Sequence, residues 1–150
     1  HLHKAILSAR SPVFAAMFTH DLAENRNNRV EVTEENGISV ESFEQMVQYI
    51  YSGKIELNQE SSVELLALAD KYELPQLKST VAKLISTSLS TDNVAIILML
   101  SDMHNEVELK RQCMSYIVAN SKEVMLTEGW KRMKAKPELL MEICMALANN

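Results

Sequence analysis

The step that most restricts this chain is Ser11-Pro12, in the middle of the stretch His3 to Phe18, HKAILSARSPVFAAMF. Proline has no N–H and a fixed φ, which suits the first position of a helix better than any later one. A serine just before it can cap that helix with its hydroxyl. Ser11 therefore closes one short helix and opens another. Behind the cap, Phe14, Met17 and Phe18 fall at i, i+3 and i+4, an apolar stripe on one helical face. Two helices this short are not stable alone, so the hairpin must dock its stripe on a larger body.

The rest of the sequence supplies that body as a run of helices with two short strand signals. Arg29 to Val32, RVEV, alternates apolar and polar residues as a half-buried strand does, and Lys54 to Leu57, KIEL, repeats the pattern. Between them Ser39 or Ser42 can start a helix through Tyr51, with Phe43, Met46, Val47 and Ile50 on one face and Gly53 as its stop. Ser61 or Ser62 opens a further helix with the stripe Leu65, Leu68, Ala69 and Tyr72, widened by Val63 and Leu66. Pro75 restarts the chain, and Leu77, Val81, Leu84, Ile85 and Leu89 continue at helical spacing. Two strands are too few for a stable sheet, so further strands are expected from elsewhere.

From Ser90 onward the pattern is helical throughout. Ser90 or Thr91 can cap a helix with Asp92 in its first turn, and Val94 to Leu100, VAIILML, is apolar on every side. Such a helix must be covered on both faces. Val107 to Val118 carries the stripe Leu109, Cys113, Tyr116 and Ile117. Pro137 starts a last helix with Leu140, Ile143, Cys144 and Leu147 in line. Both cysteines thus fall in apolar patterns, where a free thiol acts as a small buried hydrophobe. The nine methionines, mostly at stripe positions, are expected to pack the core.

Several function classes are disfavoured by the same residues. With 15 basic against 20 acidic side chains the net charge is −5, the wrong sign for a direct nucleic-acid ligand. No apolar run reaches the roughly 18 residues of a membrane span. The histidines His1, His3, His20 and His104 share no metal-ligand spacing beyond His1-x-His3, and Gly37, Gly53 and Gly129 are too scattered for a phosphate loop. Neither cysteine has a neighbour that marks a nucleophile. No metal, no cofactor and no catalytic residue is expected. An uncharacterised helical enzyme is the least favoured reading.

The phrase HKAILSARSPVF resembles the signature of the BTB/POZ interaction domain. The resemblance continues through YIYSGKIEL (49 to 57), LLALADKYELPQLK (65 to 78) and SDMHNEVELKRQCMSYI (101 to 117), in the order of the speckle-type POZ protein group. SKEVMLTEGWKRM (121 to 133) is similar to the start of that group's BACK domain. The implied fold class is α+β and predominantly helical: a BTB/POZ domain over 1–89, without its N-terminal strand and helix, then a 3-box and the start of a BACK domain over 90–150. Since the sequence lacks an initiating Met and starts inside a motif, it is expected to be a fragment.

The resemblance implies a non-catalytic adaptor that forms a homodimer and docks the N-terminal domain of cullin-3 for a ubiquitin ligase, in the nucleus or the cytoplasm or both. A domain outside this sequence, a MATH domain in the relatives, would hold the substrate protein. Leu22, Ala23 and Glu24 match the hydrophobic-any-Glu pattern of the cullin-contacting loop, and Asp70 and Tyr72 are further cullin contacts by family position. Ser90 to Ile117 would be the 3-box beside the cullin groove. Lys4 and Ile6 would lie at the dimer interface, with the acidic partner of Lys4 upstream. Cys144 replaces an aromatic residue of the relatives, so assembly through the last segment is not expected. The competing reading is a homotypic BTB assembly module of a transcription regulator, which recruits corepressors without cullin.

Overall fold

The structure, a computed structural model, describes residues 3–19, 38–55 and 61–149. The chain divides into two compact units, 1–84 and 85–150. Among the described residues every regular element is a helix. The strand expected at Arg29 to Val32 lies outside the described residues. Of the one expected at Lys54 to Leu57, Lys54 and Ile55 are described and belong to no strand.

In the first unit, α1 (Lys4–Arg10) and α2 (Pro12–Thr19) form the hairpin that the Ser-Pro step dictates. α1 packs on α3 (Val40–Ser52), and α3 on α4 (Ser62–Lys71). Ser39 caps α3, its Oγ accepting the Ser42 N–H at 3.2 Å, and Gly53 ends the helix at φ 70°, with its N–H on the Tyr49 carbonyl. The core residues Phe43, Met46 and Ile50 come from the expected face of α3. Leu65, Leu68 and Ala69 come from that of α4, with Leu66 buried beside them and Val63 exposed. Ser61 precedes α4 without capping it; its hydroxyl donates to Gln45 Oε1 at 2.8 Å and so ties α4 to α3. α5 (Pro75–Thr87) follows and buries Leu77 and Val81, and its last residues, from the buried Ile85 onward, belong to the second unit.

The second unit contains α6 (Val94–Met103), α7 (Val107–Ala119), the short α8 (Ser121–Val124) and α9 (Glu128–Arg132), a 3-10 turn (Met133–Ala135) and α10 (Pro137–Ala148). Ser90 and Asn93 hold the start of α6 reciprocally: the Ser90 N–H donates to Asn93 Oδ1 at 2.8 Å and the Asn93 N–H to Ser90 Oγ at 3.3 Å. α6 lies against α7, α9 and the 3-10 turn, and α10 against α7 and the same turn. Val94, Ala95, Ile97 and Leu98 are buried, while Ile96, Met99 and Leu100 are half-buried.

Two sequence expectations are corrected. The buried line of α10 is Leu139 and Ile143; Leu140 and Leu147 are half-buried and Cys144 is exposed. In a helix with apolar residues on several sides, the neighbouring elements choose the buried face, and α10, packed on α7 and the 3-10 turn, buries Leu139 and Ile143. The methionines are not mainly core. Met46 and Met133 are buried, whereas Met103, Met125, Met141 and Met145 are exposed.

Candidate functional site

In the first unit the start of α2 is tied to the end of α4 through buried groups. The Ser11 hydroxyl accepts the Phe14 N–H at 3.3 Å, as an N-cap does, and donates to the Tyr72 carbonyl at 2.6 Å. Ser11 is 1% exposed, so both bonds are shielded from water. Phe14 stacks on the Tyr72 ring at 4.6 Å between centroids, and Phe43 meets that ring edge-on at 6.0 Å. Burial pushes the Tyr72 phenol above its ordinary pKa. Tyr72 is thus a packing residue whose ring and carbonyl fix where α2 starts.

Immediately after Tyr72 the chain turns sharply. Glu73 adopts φ 52° and the Leu74 N–H returns to the Ala69 carbonyl at 2.8 Å, the six-to-one bond of a Schellman motif. Asp70, in the last turn of α4, pairs with Lys78 Nζ of α5 at 2.7 Å. Beside this turn lies an open groove of about 540 Å3, walled by Arg10, Pro12, Asp70, Glu73, Pro75 and Lys78. Its rim is charged and its floor contains buried Ala69 and Leu74. Such a groove suits a polypeptide surface better than an enclosed small molecule.

On α1, Ile6 is 38% exposed next to fully buried Leu7, and Lys4 Nζ sits over the Phe18 ring at 5.3 Å from its centroid. The structure therefore brings Asp70 and Tyr72 together at one turn, while Lys4 and Ile6 share α1 without being neighbours on its surface. Leu22, Ala23 and Glu24 lie outside the described residues. Sequence reasoning missed Arg10, Glu73 and Lys78 as groove residues. The Asp70-x7-Lys78 spacing across Pro75 was a usable signal, whereas a glutamate at positive φ gives none.

The remaining chemistry is sparse. The Cys113 thiol is held by burial at a pKa of about 12, which keeps it protonated and unreactive. Among the described residues no group of three or more His, Cys, Asp or Glu could hold a metal ion, and no helix is long and apolar enough to cross a membrane. What the arrangement offers is shape, exposed apolar side chains and paired charges. The sequence matches the family model of the BTB/POZ domain over residues 1–89 and that of the BPM/SPOP, BACK domain over residues 93–144.

Proposed function

The chain belongs to the BTB/POZ domain family and continues into a BACK domain of the BPM/SPOP type, and from that premise we propose that it is a non-catalytic adaptor that carries substrates to a cullin-3 ubiquitin ligase. BTB and BACK domains are protein-interaction modules. The observation that carries the finer reading is the pairing, in one chain and in this order, of a BTB/POZ domain with that particular BACK type. The charged groove beside the α4–α5 turn supports it, because it is an open surface lined by charged and apolar residues.

In this reading Leu22 fills an apolar pocket of the cullin-3 N-terminal domain and Glu24, past Ala23, meets a basic group or a helix start. Asp70 adds a charge on the groove rim, while Tyr72 acts through the placement of α2. α6 and α7 form the 3-box. Two protomers associate through α1, around Lys4 and Ile6. A substrate-reading domain outside this sequence supplies the other half of a bivalent tether, which acts by raising the substrate's effective concentration near the ligase. The place of action is the nucleus, the cytoplasm or both.

The test is calorimetry of the chain with a cullin-3 N-terminal domain, comparing wild type with the Leu22→Asp, Glu24→Lys double variant. Submicromolar binding that a folded double variant loses supports the adaptor and its docking loop. A folded, dimeric wild type that does not bind overturns the cullin reading and leaves the homotypic assembly module.

A further inference from the structure

The pattern Leu66-x-Leu68-x-Asp70, six residues, Leu77-Lys78 recurs 32 residues later as Leu98-x-Leu100-x-Asp102, six residues, Leu109-Lys110. The backbone recurs with it. The Leu74 N–H returns to the Ala69 carbonyl at 2.8 Å, and the Glu106 N–H to the Ser101 carbonyl at 2.8 Å. The left-handed residues are Glu73 at φ 52° and Asn105 at φ 55°, the two non-glycine residues of positive φ among those described. Burial matches as well: Leu66, Ala69, Leu77 and Val81 correspond to Leu98, Ser101, Leu109 and Cys113. Across each turn an aspartate of the first helix grips a lysine of the second, Asp70 to Lys78 at 2.7 Å and Asp102 to Lys110 at 2.8 Å.

We propose that these are two copies of one clasped α-hairpin, and that in the second copy the clasp doubles as a latch for the last helix. Lys110 Nζ lies 2.8 Å from Asp102 Oδ1 and 2.9 Å from Glu142 Oε2, so a single ammonium joins α6, α7 and α10. Both carboxylates lie within hydrogen-bond reach of it and favour its charged form. Under the latch α10 inserts Leu139 and Ile143 into the unit's core. The other side of α10 presents Met141, Cys144 and Met145 to water. The ions are partly solvated, with side-chain exposures of 25% for Lys110, 36% for Asp102 and 47% for Glu142. Ion pairs of that exposure bias an equilibrium by about two- to fivefold rather than locking it.

The latch is therefore a reversible device. When it opens, α10 lifts as a unit and uncovers Leu139 and Ile143, while the Schellman turn and core of the α6–α7 hairpin keep that hairpin closed. Salt weakens the latch, since solvated charges are screened within about 8 Å at physiological ionic strength. This device is independent of which partner the first unit docks.

Amide hydrogen exchange on the whole chain tests it, with wild type set against Lys110→Met, Glu142→Gln and Lys110→Arg. The expected result is exchange in α10 about two- to fivefold faster in Lys110→Met and Glu142→Gln, and unchanged in Lys110→Arg. α6 and α7 should keep their wild-type protection in Glu142→Gln. Raising the salt should bring wild-type α10 to the level of Glu142→Gln and leave that variant where it is. Unchanged α10 exchange in Glu142→Gln overturns the latch. So does equal acceleration of α6, α7 and α10, which would mark the lysine as a general structural residue. Glu142 lies on the surface, so its variant remains informative even where Lys110→Met fails to fold.

Discussion

Glu64 connects two helices through single atoms: its Oε2 accepts the Ser39 N–H at 2.8 Å and the Ser39 hydroxyl at 2.6 Å, joining the cap of α3 to the first turn of α4. The Ser39 hydroxyl is the main cause that holds the Glu64 carboxyl below its usual value of 4.5, followed by the hydroxyl of Ser42 and the Ser39 N–H. A carboxyl depressed in the folded state contributes stability above its unfolded pKa and loses it as the pH falls through the folded one. The melting temperature of wild type should therefore fall more steeply than that of Glu64→Gln between about pH 5 and about pH 3. Scanning calorimetry across that range checks this, and parallel curves would mean that the bonds contribute nothing. A serine cap at Ser39 or Ser42 was legible in the sequence, because capping is local chemistry, and the structure decides for Ser39. Its bond to Glu64 was not, since the two lie 25 residues apart and no local rule links them. Ser11 repeats the lesson: the cap on Phe14 follows from Ser-Pro, but the second bond, to the Tyr72 carbonyl 61 residues away, required the fold.

At the scale of helices, two glycines act for opposite reasons. Gly53 ends α3 in the left-handed region at φ 70°, and a Cβ there would meet only the Arg10 guanidinium at 3.9 Å. Space is available, so Gly53→Ala should lose only the conformational term, about 1 kcal/mol. At Gly129 the backbone is outside the left-handed region but the space is short: a Cβ would sit 3.3 Å from the Asp92 carbonyl oxygen and 3.4 Å from Ile96 Cγ1, where α9 meets the start of α6. Gly129→Val should cost more, about 1–3 kcal/mol, by forcing the two helices apart. Urea denaturation of both variants checks the order, and Gly53→Asn should recover part of the Gly53→Ala loss because asparagine tolerates that region. The sequence showed Gly53 as a stop and gave no sign of the close approach at Gly129. Helix starts at Pro12, Pro75 and Pro137, and at Ser39 or Ser42, were legible for the same local reasons. The buried face of α10 was not. PELLMEICMALA has apolar residues on several sides, so periodicity fits more than one stripe, and only the packing on α7 and the 3-10 turn decides for Leu139 and Ile143.

For the molecule as a whole, the proposed adaptor gains most from being two-fold. A tether with two reading ends and two docking loops can raise avidity by 10²–10⁴ when the geometry allows both to engage. The proposed contact is α1, where Ile6 stands 38% exposed beside a buried Leu7 and, two residues earlier, the Lys4 ammonium lies over the Phe18 ring. An isologous interface places this side chain against the same element of the partner, so one substitution acts twice. Ile6→Asp puts two carboxylates into an apolar contact, where desolvation and like-charge repulsion add. Because Ile6 is 38% exposed and not among the buried core residues, the variant should keep its helical circular dichroism and most of its melting temperature at low concentration. Sedimentation velocity should show a dimer for wild type at micromolar concentration and a monomer for Ile6→Asp. Binding to the cullin-3 N-terminal domain should then retain its affinity per protomer while losing two-site avidity on a surface that presents several copies. A wild type that sediments as a monomer would remove α1 as the interface. An Ile6→Asp variant that remains dimeric would move the contact to another face of the chain.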